Sequence, residues 1–297
     1  MKLLVTGASG LLGRAVMKRL KEISGFSVIG TAFSRAKPPL LRLDLTDYGT
    51  VADFVRTEKP DIIIHAAAER RPDISLKDPD RTRELNVTAT RRLAEVAEET
   101  GAWVLFMSTD YVFDGTAPPY APDSETNPLN LYGKSKLDGE RAILSASSHA
   151  CVLRVPILYG EVEYLEESPI TLIAESLKKD APQKIDNWAI RYPTHVDDVA
   201  LAIRRIVKHW VENPKLGGIY HWSAAEPYTK YDMARLMAPV VGADEDKILA
   251  DDTPSQGAPR PKDSHLDTSR LEFLGMSNKS FFRESIALIL KPFLPLC

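Results

Sequence analysis

A tyrosine and a lysine four residues apart, Tyr132 and Lys136, form the pair in this sequence best suited to moving a proton. The segment after Pro128 predicts a helix, and positions four apart lie on one face of a helix. A lysine ammonium beside a phenol lowers the pKa of the phenol, so we expect Tyr132 to exchange a proton near neutral pH. Ser108 and Thr109 end a predicted upstream strand, where a hydroxyl can bond a substrate carbonyl. The alternative for the pair is an ordinary surface helix start.

The beginning of the chain predicts a cofactor for this chemistry. Glycines recur at Gly7, Gly10 and Gly13, between an apolar run at residues 3–5 and a helical pattern that begins at Leu11. A strand, a glycine turn and a helix N-terminus in this order bind pyrophosphate, because the backbone approaches closely and the helix presents free N–H groups. A plain turn is the alternative for a glycine trio. A phenol, an ammonium and a hydroxyl beside a bound nicotinamide would suit carbonyl reduction by hydride transfer.

The end of the second predicted strand, residues 26–33, favours one nicotinamide cofactor over the other. An acidic residue at this position binds the hydroxyls of the adenosine ribose and favours NAD. The sequence has Arg35 instead, with Lys37 close by, and such cations bind a 2′-phosphate. We therefore predict NADP, against the alternative that both cations belong to a solvated loop. Asp44, within a short predicted strand at 41–45, either faces the adenine ring or begins the next turn.

The fold class follows from the alternation of predicted strands and helices through residue 156. This alternation is typical of an α/β, Rossmann-type fold with a doubly wound parallel sheet. Residues 61–68 form a nearly continuous apolar run, as a strand buried on both faces requires. We expect His65 in this run to be a hydrogen-bonded core residue. We also expect Asn86, in a predicted helix over 79–100, to bond a neighbouring backbone.

The same pattern predicts two domains. They are an NADP-binding Rossmann domain over 1–160, to which 193–222 return, and a smaller C-terminal substrate-binding lobe over 161–192 and 223–297. A charged loop at 69–73 lies either at the ligand-binding edge of the sheet or in solvent. Four glutamates within residues 161–168 predict a mobile loop.

Length, charge and composition limit the classes of function. The chain has 297 residues, 44% of them apolar, and a net charge of −3, which gives no indication of nucleic-acid or anionic-membrane binding. Cys151 and Cys297 lack framework spacing, which favours a reducing, cytoplasmic compartment. The first predicted strand follows Met1 and Lys2 directly, and no apolar run reaches transmembrane length. We therefore expect neither a signal peptide nor a membrane span, and we predict no metal site.

Two stretches, 108–115 and 129–136, resemble the dTDP-4-dehydrorhamnose reductase branch of the extended short-chain dehydrogenase/reductase superfamily. A narrower resemblance, to the regulatory beta subunits of methionine adenosyltransferase, runs almost from end to end. Several of the stretches that carry this resemblance contain no candidate catalytic residues. Their joint presence is therefore specific for this family. They are 67–73, 129–140, 156–163, 165–168, 193–196, 221–223, 229–231 and 257–261.

The beta-subunit resemblance implies an NADP-binding, non-catalytic protein. Such a protein joins a methionine adenosyltransferase catalytic subunit in a hetero-oligomer and modulates S-adenosylmethionine synthesis. The resemblance places the cofactor near Ser9, Gly10, Leu11, Leu12, Phe33, Ser34, Arg35, Asp44, Leu45, Ala66, Arg70, Tyr132 and Leu158. Gly7, Gly13 and Lys136 complete the predicted cofactor site.

The reductase resemblance implies a different function, the NADPH-dependent reduction of a nucleotide-linked 4-keto sugar. It gives the catalytic roles to Thr109, Tyr132 and Lys136. Ile157 stands where these reductases usually carry a tryptophan, which argues against stacking of a sugar at that position.

Two further arginines are candidate contacts to a substrate or a partner. Arg71 lies in the charged loop at 69–73. Arg260 matches a position where nucleotide-sugar enzymes hold phosphate, or else it pairs with Asp263 or another acid.

Overall fold

The structure, a computed structural model, describes residues 1–147, 149–179, 181–254, 256–275 and 280–294. Cys297 lies outside the described residues. The strands are β1 (Lys2–Thr6), β2 (Ser27–Ala32), β3 (Leu41–Arg42), β4 (Ile62–His65), β5 (Trp103–Thr109), β6 (Cys151–Val155), β7 (Leu158–Tyr159), β8 (Gln183–Asp186), β9 (Thr194–His195), β10 (Gly218–His221) and β11 (Ile248–Asp251). The α-helices are α1 (Leu11–Lys21), α2 (Tyr48–Glu58), α3 (Pro72–Lys77), α4 (Pro79–Arg83), α5 (Ala89–Thr100), α6 (Leu131–Ala146), α7 (Thr171–Leu177), α8 (Val196–Glu212), α9 (Lys230–Val241) and α10 (Phe282–Leu290).

Seven parallel strands of the described chain form the central sheet, in the order β3-β2-β1-β4-β5-β6-β10. Alternate side chains of β1 point to opposite faces, so Leu3 and Val5 join one apolar cluster with α1 and α8. Leu4 joins a second cluster with α2 and α5. Helices therefore cover both faces, as a parallel sheet requires. The predicted α/β class with a doubly wound parallel sheet is confirmed.

The order of the strands creates a crevice at the carboxyl edge of the sheet. β1 pairs with β2 on one side and with β4 on the other, so the chain changes its direction of travel through the sheet at β1. Ligands of open α/β sheets bind at such a switch point. After β6 the chain returns to the sheet through α8 and β10, and α8 packs against α1.

A smaller layer is formed by residues that follow β6 in the sequence. Its apolar cluster contains Tyr159, Met233 and Phe282 and packs α7, α9 and α10 together. The short strands β8 and β11 pair beside it in parallel. The helix α9 begins with a capping box, because the Thr229 hydroxyl accepts from the Asp232 backbone N–H and the Asp232 carboxylate accepts from the Thr229 N–H.

The predicted helix over 79–100 is divided into three consecutive pieces. Between α4 and α5 lies a π-helical turn, Glu84–Thr88, that contains the buried Asn86. The Asn86 amide donates to the Glu69 carbonyl at 2.9 Å and accepts from the Glu69 N–H at 2.8 Å, which confirms the predicted backbone bond. It also donates to Ser135 Oγ at 3.0 Å. The wider turn thus lets one side chain join the loop after β4 to α6.

None of the helices in the described residues combines the length and the apolarity needed to cross a bilayer.

Two glycines let α1 lie close to the end of β1. Gly7 has a left-handed φ of +68°, and a Cβ there would lie 2.8 Å from the backbone nitrogen of Ala67. A Cβ on Gly13 would overlap the Gly7 carbonyl oxygen and lie 2.8 Å from the Ala8 Cα. These neighbours are backbone atoms, which cannot rotate away as a side chain can. The close approach therefore requires glycine at both positions.

We expect Gly13→Ala to lower the free energy of unfolding by about 2 to 4 kcal/mol, because the added methyl group must push α1 away from the β1 loop. Gly49→Ala is the matched control, since a Cβ at Gly49 would meet only Asp47 Oδ1, at 3.7 Å, among the described atoms. There, alanine should leave the stability unchanged or raise it by about 0.5 to 1 kcal/mol. Urea unfolding of both variants is the measurement. Equal midpoints for Gly13→Ala and the unsubstituted protein would contradict the tight packing.

Candidate functional site

The glycine turn after β1 presents a helix N-terminus at the crevice. Gly10 precedes α1 with an extended backbone, no side chain caps the helix, and its first turn contains no acidic residue. Leu11 and Leu12 in that turn pack against the core cluster. The Ser9 carbonyl accepts from Arg14 Nη1 at 2.9 Å, which ties the turn to α1. Uncapped N–H groups and the positive end of the helix dipole fit a phosphate at this place.

Arg35 follows β2 and lies in an ion-pair cluster, whereas Lys37, the second cation of the predicted pair, is exposed as the solvated-loop alternative has it. Its Nη1 donates to Glu167 Oε1 at 2.9 Å and to Glu163 Oε2 at 3.0 Å. Ser34 and Phe33, which precede it, are exposed. The guanidinium carbon of Arg42 lies 5.4 Å from the centroid of the Phe33 ring. The predicted 2′-phosphate residue is therefore at the expected strand end, with carboxylates as its present partners.

Asp44 begins a turn, which was one of the two alternatives for it. Its Oδ1 accepts from the Thr46 N–H at 2.9 Å and from the Thr46 hydroxyl at 2.7 Å. Leu45 beside it is buried in the core cluster of α2 and α5. These two residues lie one strand outward from Arg35, because β3 pairs with β2.

The acidic segment, residues 161–168, packs against the site, so the predicted mobile loop is wrong for Leu165, Glu167 and Ser168, which are buried. Arg14 holds the Glu167 carboxylate through two bonds of 2.8 and 2.7 Å. Arg70 Nη2 donates to the Glu167 carbonyl at 2.5 Å. A run of glutamates is solvated when it lacks partners, but here three arginines supply them, one from α1 and two from the segments after β2 and β4.

The charge of Glu167 is maintained by these contacts. Burial raises the pKa of this carboxyl, but bonds from Arg14, the Glu163 backbone and Arg35 outweigh the burial and lower the pKa to about 2. The carboxylate therefore stays ionised at neutral pH and holds both guanidinium groups.

Two more predicted cofactor residues lie at this edge. Ala66 directly follows β4, and Leu158 lies in β7, and both pack against the larger core cluster. The Leu158 carbonyl accepts from the Ser168 hydroxyl at 2.8 Å, which joins β7 to the acidic segment.

The Tyr132 helix lies tightly against the end of β5. The helix α6 begins after Asn130, whose side chain accepts from the Gly133 N–H at 2.9 Å. A Cβ on Gly133 would overlap the Tyr111 carbonyl oxygen, so glycine permits the contact. The rings of Tyr132 and Tyr111 meet edge to face with centroids 6.0 Å apart.

The protonation of Tyr132 differs from the prediction. Burial raises the pKa of its phenol far above the usual value, and a hydrogen bond with Thr109 opposes this only in part. Burial also lowers the pKa of Lys136 to about 7, against the charge of Glu140. The Lys136 ammonium lies 3.8 Å from the centroid of the Phe106 ring. The predicted lowering of the phenol pKa is wrong here, because removal from water disfavours the charged form of both groups.

The Thr109 hydroxyl points to a buried acid. Its Oγ1 donates to Asp110 Oδ1 at 3.1 Å and accepts from the Tyr111 N–H at 3.2 Å. Asp110 Oδ2 accepts from the Ser264 hydroxyl at 2.5 Å, which links β5 to the C-terminal part of the chain. Burial raises the pKa of Asp110 to about 6.

The other predicted hydroxyl, Ser108, belongs to a buried network that the sequence did not reveal. Ser108 Oγ donates to Glu140, whose carboxylate also accepts two bonds from Arg154, of 2.9 and 2.7 Å. Ser108 therefore bonds a carboxylate inside the protein and not a ligand carbonyl, contrary to the prediction. The signal was available, since Tyr132, Lys136 and Glu140 follow each other at four-residue intervals on one helical face.

The charged loop at 69–73 makes one local ion pair and one distant one. The guanidinium of Arg71, 60% exposed, pairs with Glu69 at 2.9 Å. Arg260 Nη2 pairs with Asp73 Oδ2 at 2.6 Å, and the Ala258 N–H donates to the same carboxylate at 3.1 Å. Arg260 thus has an acidic partner other than Asp263, and the pair joins the loop after β4 to residues 257–260. Within the described residues, no three His, Cys, Asp or Glu side chains are grouped to hold a metal ion.

Comparison with known proteins shows the class to which this fold and site belong. The family model described as RmlD substrate binding domain matches residues 1–294. A solved dTDP-4-dehydrorhamnose reductase from Clostridium acetobutylicum is 29% identical, with a TM-score of 0.84 and coverage of 99% of each chain. The fold also matches a dTDP-4-dehydrorhamnose reductase from Bacillus anthracis solved in complex with NADP, at 24% identity, a TM-score of 0.81 and 98% coverage of each chain. The fold and the family model place the chain in the class of the extended short-chain dehydrogenase/reductases.

A curated relative defines the family more narrowly. Methionine adenosyltransferase 2 subunit beta from Xenopus laevis is 45% identical over 293 residues, which are 98% of this chain and 87% of the relative. The chain therefore belongs to the family of methionine adenosyltransferase 2 beta subunits, within the RmlD substrate-binding-domain family.

His65, at the end of β4, is the hydrogen-bonded core histidine that was predicted. The ring is fully buried, with Nδ1 2.7 Å from the Thr6 hydroxyl and Nε2 3.0 Å from the Thr90 hydroxyl. Burial, together with the charge of Lys136, lowers the pKa of His65 from 6.5 to about 3. The ring is therefore neutral in the folded protein at every pH above that value.

This shift predicts a pH dependence of stability. The unfolded chain binds a proton at His65 below pH 6.5 while the folded chain does not until about 3, so the stabilisation is complete above 6.5 and is lost as the pH falls. The loss is about 1.4 kcal/mol per pH unit in that window. Urea unfolding between about pH 7 and about pH 5 should show the advantage of the unsubstituted protein over His65→Gln shrink by about 2 kcal/mol. A constant difference would show that His65 does not cause the slope.

Proposed function

We propose that this protein is an NADP-binding, non-catalytic regulatory subunit that associates with a methionine adenosyltransferase catalytic subunit and modulates S-adenosylmethionine synthesis. The observation that carries the proposal is the 45% identity to a named beta subunit across 98% of the chain. The match extends over nearly the whole chain and so includes residues outside the crevice as well as those that line it.

The geometry of the crevice supports NADP as the ligand. The uncapped start of α1, with Ser9, Leu11 and Leu12, would hold the pyrophosphate. Arg35 would hold the 2′-phosphate, and Asp44 and Leu45 would border the adenine. Ala66, Arg70, Tyr132, Lys136 and Leu158 would surround the nicotinamide end. When bound, the nicotinamide supplies hydride chemistry.

Two of the three candidate hydroxyls are engaged inside the protein. The hydroxyl protons of Ser108 and Thr109 are donated to the carboxylates of Glu140 and Asp110. A substrate carbonyl would have to displace one of these internal bonds to accept from either residue. The phenol of Tyr132 is protonated because burial raises its pKa, so it keeps the proton that a carbonyl reduction would need.

A binding experiment tests the main proposal. The purified protein, loaded with NADP, is expected to co-elute with a purified methionine adenosyltransferase catalytic subunit at micromolar concentrations and to change the rate of S-adenosylmethionine formation. The Clostridium acetobutylicum reductase is the matched control, because it has the same fold at 29% identity. Separate elution with no change of rate, or equal binding by the control reductase, would contradict the regulatory role.

A second function is favoured by the geometry, because Thr109 and Tyr132 come together at the crevice and Lys136 lies one turn further along α6. These residues would serve a reductase of a nucleotide-linked 4-keto sugar, with Arg260 and Arg71 near the substrate phosphates. Ile157 packs against the apolar cluster of the smaller layer, and its aliphatic side chain offers no aromatic face to a sugar.

NADPH oxidation distinguishes this reductase from a binding subunit. We expect no oxidation above background with a panel of dTDP- and UDP-linked 4-keto sugars, because Ile157 offers no aromatic face to the sugar and the Thr109 hydroxyl donates to Asp110. Oxidation that disappears in Tyr132→Phe, with NADPH binding retained, would establish the reductase activity. It would also show that the protein is catalytic, contrary to the main proposal.

A further inference from the structure

Arg35 holds two carboxylates of very different character. The Glu167 side chain is 1% exposed and also carries the two bonds from Arg14. The Glu163 side chain is 56% exposed, with its Oε2 3.0 Å from Arg35 and 3.6 Å from Arg14. One carboxylate partner of Arg35 is therefore fixed inside the protein, and the other reaches it from solvent, where the Tyr164 hydroxyl also lies 3.5 Å from Arg35 Nη1.

The buried carboxylate is built into the surrounding structure. Glu167 Oε2 accepts from the Glu163 N–H at 3.0 Å as well as from Arg14. Its carbonyl accepts from Arg70. Removal of a buried partner from such a network leaves charges uncompensated, so Glu167 remains in place when a ligand arrives. It positions the guanidinium of Arg35 toward the crevice.

The exposed carboxylate is easily replaced. A solvent-exposed ion pair contributes little, because water and side-chain entropy oppose it. A phosphate carries more negative charge than a carboxylate and binds arginine through charge-assisted bonds. In the cluster as it stands, Arg14 and Arg35 pair with the carboxylates of Glu163 and Glu167, and Arg70 bonds the Glu167 carbonyl. An added 2′-phosphate beside Glu163 would bring like charges together on Arg35.

We propose that the Glu163 carboxylate occupies the 2′-phosphate position on Arg35 and is displaced by that phosphate, while Glu167 stays and positions Arg35. The inference rests on the proposed NADP binding and adds a specificity determinant to that site. A nucleotide that carries the 2′-phosphate replaces the bond that it breaks. NAD has no group with which to release Glu163, so the acidic segment stays closed on Arg35.

Calorimetry with two ligands, NADP and adenosine 2′,5′-bisphosphate, tests the displacement. Glu163→Gln removes the competing charge and should tighten both ligands by about threefold to tenfold. Glu166→Gln is the matched control, because Glu166 is an exposed glutamate of the same segment. It should change both affinities by less than about twofold.

Glu167→Gln tests whether Glu167 positions Arg35, and an Arg35→Ala background tests whether Glu163 acts through Arg35. Glu167→Gln should weaken both ligands and lower the unfolding temperature, because Arg14 and Arg35 lose their fixed partner. Glu163→Gln should leave the unfolding temperature within error of the unsubstituted protein. In an Arg35→Ala background, Glu163→Gln should no longer tighten adenosine 2′,5′-bisphosphate, because the shared cation is gone.

The outcomes separate this inference from the function on which it rests. Tightening by Glu163→Gln alone, lost with Arg35, supports displacement. No change, weaker binding, or equal tightening by Glu166→Gln overturns it while NADP binding stands. If neither the unsubstituted protein nor Glu163→Gln binds either ligand, NADP binding itself fails, and the inference fails with it.

Discussion

The close approach of backbone to backbone at the end of β1 is the constraint on which the rest of the crevice depends. Gly7 lies against Ala67 of the loop after β4, and Gly13 lies against the Gly7 carbonyl. Because neither position has room for a Cβ, the N-terminus of α1 stays next to the strand ends. The parallel pairing of β2, β4 and β5 around β1 then brings Arg35, Arg70 and the Thr109 hydroxyl to one edge of the sheet.

Paired charges connect this edge to distant parts of the chain. Arg14 and Glu167 are 153 residues apart, and Arg260 and Asp73 are 187 apart. Arg154 and Glu140 form a third pair that is close in sequence but buried, with both side chains 2% exposed. Loss of one partner from such a buried pair is strongly destabilising, because the other charge is left without compensation. The two long-range pairs instead hold the acidic segment and residues 257–260 beside the crevice.

The same crevice carries the tyrosine, lysine and threonine of a reductase framework. Thr109 ends β5, and Tyr132 and Lys136 lie on α6, which packs against that strand end. The fold places these groups in different surroundings. Burial keeps the phenol of Tyr132 protonated, while the hydroxyls of Ser108 and Thr109 donate to Glu140 and Asp110. The hydrogen bonds inside the protein therefore decide which of the hydroxyls are free to meet a ligand.

Much of the framework could be predicted from the sequence, because it depends on neighbouring residues. The alternation of predicted strands and helices indicated the parallel sheet that the structure has. The apolar run around His65 predicted a buried strand in which the imidazole ring is hydrogen-bonded. Asn86 was correctly assigned a backbone partner, although the π-helical turn that carries it was not foreseen.

The sequence by itself determined the order of strands and helices, the glycine turn and the residue types at each strand end, since these arise from local conformation and periodicity. Tertiary structure alone decided the burial of Glu167, the internal bonds of Ser108 and the direction of the Tyr132 pKa. The partners of these groups lie far away in the chain, and desolvation depends on what the fold packs around a side chain. The Glu167 carboxylate becomes a buried structural anion only because the fold brings Arg14 of α1 and Arg35 after β2 to it.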